Sequence, residues 1–172
     1  EDRDFWAQAA VASRKYLVQA CSPITGMSAE YAEFDGSPMS RKLGWSNDRH
    51  DCFYSDSSRT PANIGLDYEW FGIDEGQCAA VDRLQEFLLE DARRNQFHTY
   101  EINGTVAQSD VLHPVAIIAT VAQGSLAANN PFTNEWIERF WNTPMRTGVR
   151  RYYDNCLYFF AFLALSGKYR IW

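Results

Sequence analysis

No apolar run in the 172-residue chain reaches about 18 uncharged residues, so the sequence contains no membrane-spanning helix. Positive charge is scarce. Sixteen Lys and Arg face 22 Asp and Glu, for a formal net charge of -6, and the pI is near 5.0. A nucleic-acid backbone calls for a basic face, so a nucleic-acid partner is excluded. Cysteine is sparse as well: Cys21, Cys52, Cys78 and Cys156 are scattered, with no C-x-x-C. That spacing offers no zinc site, and disulfide-stapled secreted domains are far denser in Cys. Four free thiols in a reducing compartment are expected, hence a cytoplasmic location. A periplasmic or secreted one stays open, because the chain starts at Glu1 and an upstream segment would lie out of view. No internal repeat recurs at constant period.

What is present is a heavy apolar and aromatic load, 46% hydrophobic and 15% aromatic, enough for one globular domain over residues 1–172. Residues 4–20 have apolar positions near helical spacing. A short helical piece is expected over residues 28–34, then a turn at Asp35-Gly36-Ser37-Pro38. Residues 39–51, with Trp45, read as a loop across the mouth of the fold. Residues 62–71 form a helix apolar on more than one face, expected to be buried on most sides. Residues 75–95 interleave charged and apolar positions, as an outer helix does. Asn103-Gly104 between alternating residues signals a hairpin over residues 99–108, with a type I′ turn. Pro114 opens a second buried helix over residues 115–126. An outer helix follows to Trp141, and a third buried helix runs over residues 152–165. Buried helices alternating with amphipathic ones, joined by short loops, are the pattern of an all-α toroid. About three inner–outer pairs can be counted.

The chain is organised around residues 52–72, CFYSDSSRTPANIGLDYEWFG. Asp56 stands in a polar turn before Pro61, three residues ahead of Arg59. By local physics Asp56 has two compatible roles. One is an ordinary N-cap, which stabilises a helix by about 1 kcal/mol. The other is a catalytic carboxylate kept ionised by the helix dipole and by Arg59.

The pattern D-x-x-R followed by N-I-G-L-D-Y-x-W-F-G resembles the surroundings of the catalytic base in family 8 glycoside hydrolases, and within them the reducing-end xylose-releasing exo-oligoxylanases. Residues 2–38 (DFW…SRKYL…CSPITGMSAEYAEFDGSP), Leu112-His113-Pro114 and residues 151–172 (RYYDNCLYFFAFLALSGKYRIW) match the same group. The resemblance implies about half of an (α/α)6 toroid, its C-terminal portion, without metal or cofactor. It implies an inverting hydrolase of β-1,4-xylo-oligosaccharides, with Asp56 as general base and Arg59 orienting it and touching sugar. The general acid would be a glutamate in an N-terminal segment, on the same protein or on a separate chain. Among Glu30, Glu33, Asp35, Asp67, Glu69, Asp74 and Glu101, none fits the acid. Asp67 is instead expected to bond a neighbouring loop backbone.

Leu112, His113 and Pro114 match the corner that in the exo-enzymes closes the cleft and contacts the reducing-end sugar; a structural histidine is the alternative. Tyr54, Tyr153, Tyr152 and Trp45 are candidate sugar contacts, with core packing the competing role for each. Three other functions remain in view. An open cleft would give an endo-acting xylanase, cellulase or chitosanase. A similar toroid serves sugar epimerases, which three scattered histidines disfavour. A non-catalytic carbohydrate-binding helical domain is the third.

Overall fold

The computed structural model describes residues 2–39 and 49–171. Its helices are α1 (Arg3–Ala20), α2 (Arg59–Phe71), α3 (Glu75–Arg94), α4 (Pro114–Gly124), α5 (Thr133–Asn142) and α6 (Arg151–Leu165). Its strands are β1 (Cys52–Phe53), β2 (Thr99–Glu101) and β3 (Val106–Gln108). α4 packs on both α2 and α6, while α3 packs on both α1 and α5. Even-numbered helices thus form one layer and odd-numbered ones the other, as the alternation in sequence anticipates.

α4 is the centre. Every residue from Ala116 to Gly124 is buried. Its small side chains let neighbours come close, and Gly65 of α2 shows how close: a Cβ there would lie 2.4 Å from the Gln123 carbonyl oxygen. Gln123 in turn donates to the Ala62 carbonyl at 3.1 Å. Buried polar groups need partners, and Gln85 of α3 supplies three. It donates to the Val121 carbonyl (3.0 Å) and the Ser125 hydroxyl (2.8 Å), while its backbone carbonyl accepts the Trp136 indole N–H of α5 (3.1 Å).

Several expectations fail. α2 is buried only through its first half, at Pro61, Ala62, Ile64 and Gly65; Tyr68 and Phe71 are exposed. α6 is buried at Asp154, Ala161 and Ala164 alone, and Tyr152, Phe159, Phe160 and Phe162 face outward. Both helices carry apolar residues on more than one face, and the exposed aromatics on each are left unburied by the described residues. α1 is likewise buried only at Ala20.

Residues 28–34 are not helical. The Glu30 and Tyr31 N–H groups donate instead to the Cys52 and His50 carbonyls at 2.9 Å each, and Ala32 bridges Pro38. Long-range backbone hydrogen bonds have overridden the local preference. The hairpin exists, but its turn is not type I′, which needs positive φ at both central residues. Only Gly104 has positive φ (98°), and its N–H bonds the Glu101 carbonyl at 2.9 Å. β1 pairs antiparallel with β2 as a third strand, with Phe53 opposite Tyr100. The expected loop over residues 39–51 falls mostly outside the described residues, and Trp45 with it.

Candidate active site

The starts of the three even-numbered helices meet at one end of their layer, and the residues singled out in the sequence collect there. Ser55, at φ 40°, takes a left-handed turn that non-glycine residues adopt at a cost of about 1–3 kcal/mol. It redirects the chain from β1 into a 3-10 turn, Ser55–Ser58. Serines fix this turn: the Ser57 hydroxyl accepts from the Tyr54 N–H at 2.7 Å, and the Ser58 hydroxyl donates to the Ser55 carbonyl at 3.2 Å.

Asp56 lies in that turn with its side chain about one-third exposed (32%). It is no cap of α2, whose N-cap is Ser58, without a side-chain bond. Its two carboxylate oxygens meet different donors. Arg59 Nη2 is 2.8 Å from Oδ2, and the Tyr153 hydroxyl donates to Oδ1 at 2.6 Å. Burial first, and the Asp56 contact second, push the Tyr153 phenol well above its ordinary range, so it stays a proton donor. Behind Asp56, its backbone N–H donates to Glu30 Oε1 at 3.2 Å. Glu30 is buried, and its other oxygen pairs with His50 Nδ1. The His50 ring stacks on Tyr31 at 4.7 Å.

His113 occupies the N-cap position of α4 with φ −134° and ψ 61°, outside the helical region that a following proline disfavours. It is buried and lies 4.3 Å, ring to ring, from Tyr153. Its Nδ1 is 3.0 Å from Asp154 Oδ2. Asp154 is fully buried. Burial alone would push its carboxyl up, but His113, Arg146 and the Ala116 N–H outweigh that and hold it below the usual carboxylate range. Arg146 also donates to the Leu112 carbonyl at 2.6 Å.

Asp56, Arg59, Tyr153 and His113 therefore form one connected group, with Leu112 and Pro114 flanking His113 and half-buried Tyr54 flanking the Asp56 turn. Tyr152 stands apart. It is 82% exposed and lines an open groove of about 540 Å³ with Arg150, Arg151 and Phe159.

Five of the seven candidate carboxylates have other partners. Glu30 supports the Asp56 turn, Asp74 caps α3 at the Gln77 N–H, Asp35 accepts from Ser37, and Glu101 pairs with Arg49. Asp67 does not bond a loop backbone. It pairs instead with Arg14 of α1 at 2.6 Å. Among the described residues, no three His, Cys, Asp or Glu side chains are grouped to hold a metal ion.

Four contributors were not legible as such: Glu30 as a support, His50, Arg146 and Asp154. Asp154 leaves one trace, a lone carboxylate in the aromatic run RYYDNCLYFF. An isolated charge in a helix that must bury one face needs a partner.

No family model matches the chain. Curated relatives do. It is 49% identical over 172 residues to the reducing-end xylose-releasing exo-oligoxylanase Rex8A of Paenibacillus barcinonensis, covering 100% of this chain and 44% of that protein. It is 52% identical over 177 residues to the reducing end xylose-releasing exo-oligoxylanase of Bifidobacterium adolescentis, covering 99% and 45%. The crystal structure of Rex8A complexed with xylose matches with TM-score 0.91 at 48% identity, over 99% of this chain and 44% of that one. The chain spans a little under half the length of these relatives, and its two helical layers are the corresponding part of an α/α toroid. In sequence and in fold, the whole of this chain resembles one part of the reducing-end xylose-releasing exo-oligoxylanases of glycoside hydrolase family 8.

Proposed function

We propose that the full-length protein containing this chain is an inverting glycoside hydrolase that cuts β-1,4-xylo-oligosaccharides and releases xylose from the reducing end. The observation that carries this reading is the single side chain, Tyr153, that joins Asp56 by a 2.6 Å hydrogen bond to His113 by a ring contact at 4.3 Å. In this reading a base and a terminal recognition group share Tyr153 as a common neighbour. The relatives' names, and the xylose in the Rex8A structure, support the substrate class.

Asp56 serves as general base. It takes a proton from water, whose oxygen bonds to the anomeric carbon as the glycosidic C–O bond breaks. A general acid about 6.5–9.5 Å from Asp56 protonates the departing oxygen, leaving room for that water. This acid lies outside the 172 residues, on the remainder of the protein or on a separate chain. Arg59 orients Asp56 and contacts sugar, with Tyr54 beside it. The Leu112-His113-Pro114 corner walls off the leaving-group side after one sugar, whose anomeric hydroxyl His113 recognises. Four unbridged cysteines support a cytoplasmic location.

Product analysis on xylotriose with the full-length protein tests the reading. Xylose and xylobiose, with the blocked methyl glycoside cut poorly, are expected. Equal cleavage of blocked and free substrates, or internal cutting of long xylan, would make it an endo-acting enzyme. No cleavage at all would leave a carbohydrate-binding domain.

A further inference from the structure

Behind the His113 corner stands a clamp that the reaction itself does not call for. Asp154 is fully buried, and its carboxylate collects three donors: His113 Nδ1 at 3.0 Å, the Ala116 N–H at 2.9 Å and Arg146 Nη1. The same Arg146 nitrogen reaches the Leu112 carbonyl at 2.6 Å. Arg146 is itself fixed to α6, since Asn155 accepts from its N–H at 2.9 Å and donates to its carbonyl at 3.0 Å. Leu112, His113 and Ala116 are thus all held by one ion pair.

A cap for α4 would need only the Ala116 contact, which a neutral side chain could provide. Burying a carboxylate is costly unless its partners are well placed. Here the extra partners are the imidazole and the arginine that fix the corner. A hydrogen bond at one ring nitrogen decides what the other presents. With Nδ1–H given to Asp154, Nε2 remains as the nitrogen that can meet a sugar hydroxyl.

We infer that Asp154, acting with Arg146, is a positioning residue for reducing-end recognition: it sets the tautomer and the orientation of His113 and pins the Leu112 carbonyl beside it. This rests on the assignment of His113 as the group that reads the terminal sugar. Tyr153 and Asp154 are adjacent on α6, so one dipeptide fixes both Asp56 and His113.

The test is steady-state kinetics of the full-length protein on xylotriose and on its methyl glycoside, for wild type, His113→Ala, Asp154→Asn and Arg146→Lys. The readout is the ratio of kcat/KM values, free over blocked. Asp154→Asn keeps an acceptor for Ala116 but turns an amide toward His113 or Arg146. It should lower the ratio about tenfold, the size of a disturbed buried hydrogen bond, with the loss on xylotriose falling more on KM than on kcat. Arg146→Lys, at a partly exposed position, should lower it in the same direction. If His113→Ala lowers the ratio while folded Asp154→Asn leaves it within twofold of wild type, the positioning role is overturned and the reading of His113 stands. Should Asp154→Asn fail to fold, Arg146→Lys decides by the same criterion. A ratio unchanged in His113→Ala would overturn both.

Discussion

The Tyr153 hydroxyl donates to Asp56 Oδ1 at 2.6 Å across 97 positions of sequence, and that bond draws the start of α6 onto the turn before α2. Arg59 holds the other oxygen. The carboxylate is thus held on both sides. Tyr153→Phe removes the bond but keeps the ring against His113. In the full-length protein it should lower kcat on xylotriose roughly tenfold, the worth of one hydrogen bond to a charged group, with little change in melting temperature. Wild-type turnover in this variant would show that Arg59 alone positions the base.

The same end of the fold should govern acid sensitivity. The folded Asp154 carboxyl titrates below its ordinary value of about 3.9. The unfolded chain therefore takes up that proton first as pH falls. The stabilisation is complete above that ordinary value and fades as pH drops toward the depressed one. Urea midpoints at pH 6 and pH 3.5 should show wild type above Asp154→Asn at the first, with the gap narrower at the second. A constant gap would mean that the Asp154 charge adds nothing to stability.

Much of this arrangement can be read from residues, and the unread part has physical causes. Asp56, Arg59 and Leu112-His113-Pro114 carry local patterns, so they stand out. Helix alternation is a matter of period, and it predicts both layers. Glu30 escapes because residues 28–34 look helical in isolation but pair with the strand-like backbone at His50 and Cys52, a contact no local window contains. Asp154 and Arg146 escape for a similar reason, since their meaning depends on a loop folding back over α6. The burial of α2 and α6 is overestimated because an apolar helix advertises its need for cover, not which residues supply it.

Gly65 tests the inner layer. A Cβ there would press to 2.4 Å on the Gln123 carbonyl, which is backbone and cannot rotate away. Gly65→Ala should force α2 off α4 and cost about 1–3 kcal/mol, as overpacked cores do. Thermal melting of the full-length protein reads this directly. An unchanged or raised melting temperature would mean the two helices are not locked at this distance.

Uncovered aromatic faces make a separate prediction for the isolated 172 residues. Phe5 and Trp6 of α1 are more than 60% exposed, and Phe71, Tyr152, Phe159 and Phe160 also face outward. Exposed apolar surface of this kind marks a contact surface. The isolated chain should bind a hydrophobic dye, self-associate and hydrolyse no xylotriose, and the full-length protein should do the reverse. A monomeric, dye-silent and active 172-residue chain would contradict the placement of the acid outside it.

The most direct measurement is turnover of xylotriose by full-length Asp56→Asn, with its melting temperature recorded alongside. Asn keeps the shape of Asp56 and can still meet Tyr153, but it cannot take a proton from water. The expected result is a fall in kcat of about 10²–10⁴-fold with the melting temperature nearly unchanged. Activity within a few-fold of wild type, or losses of activity and stability in step, would contradict Asp56 as the general base.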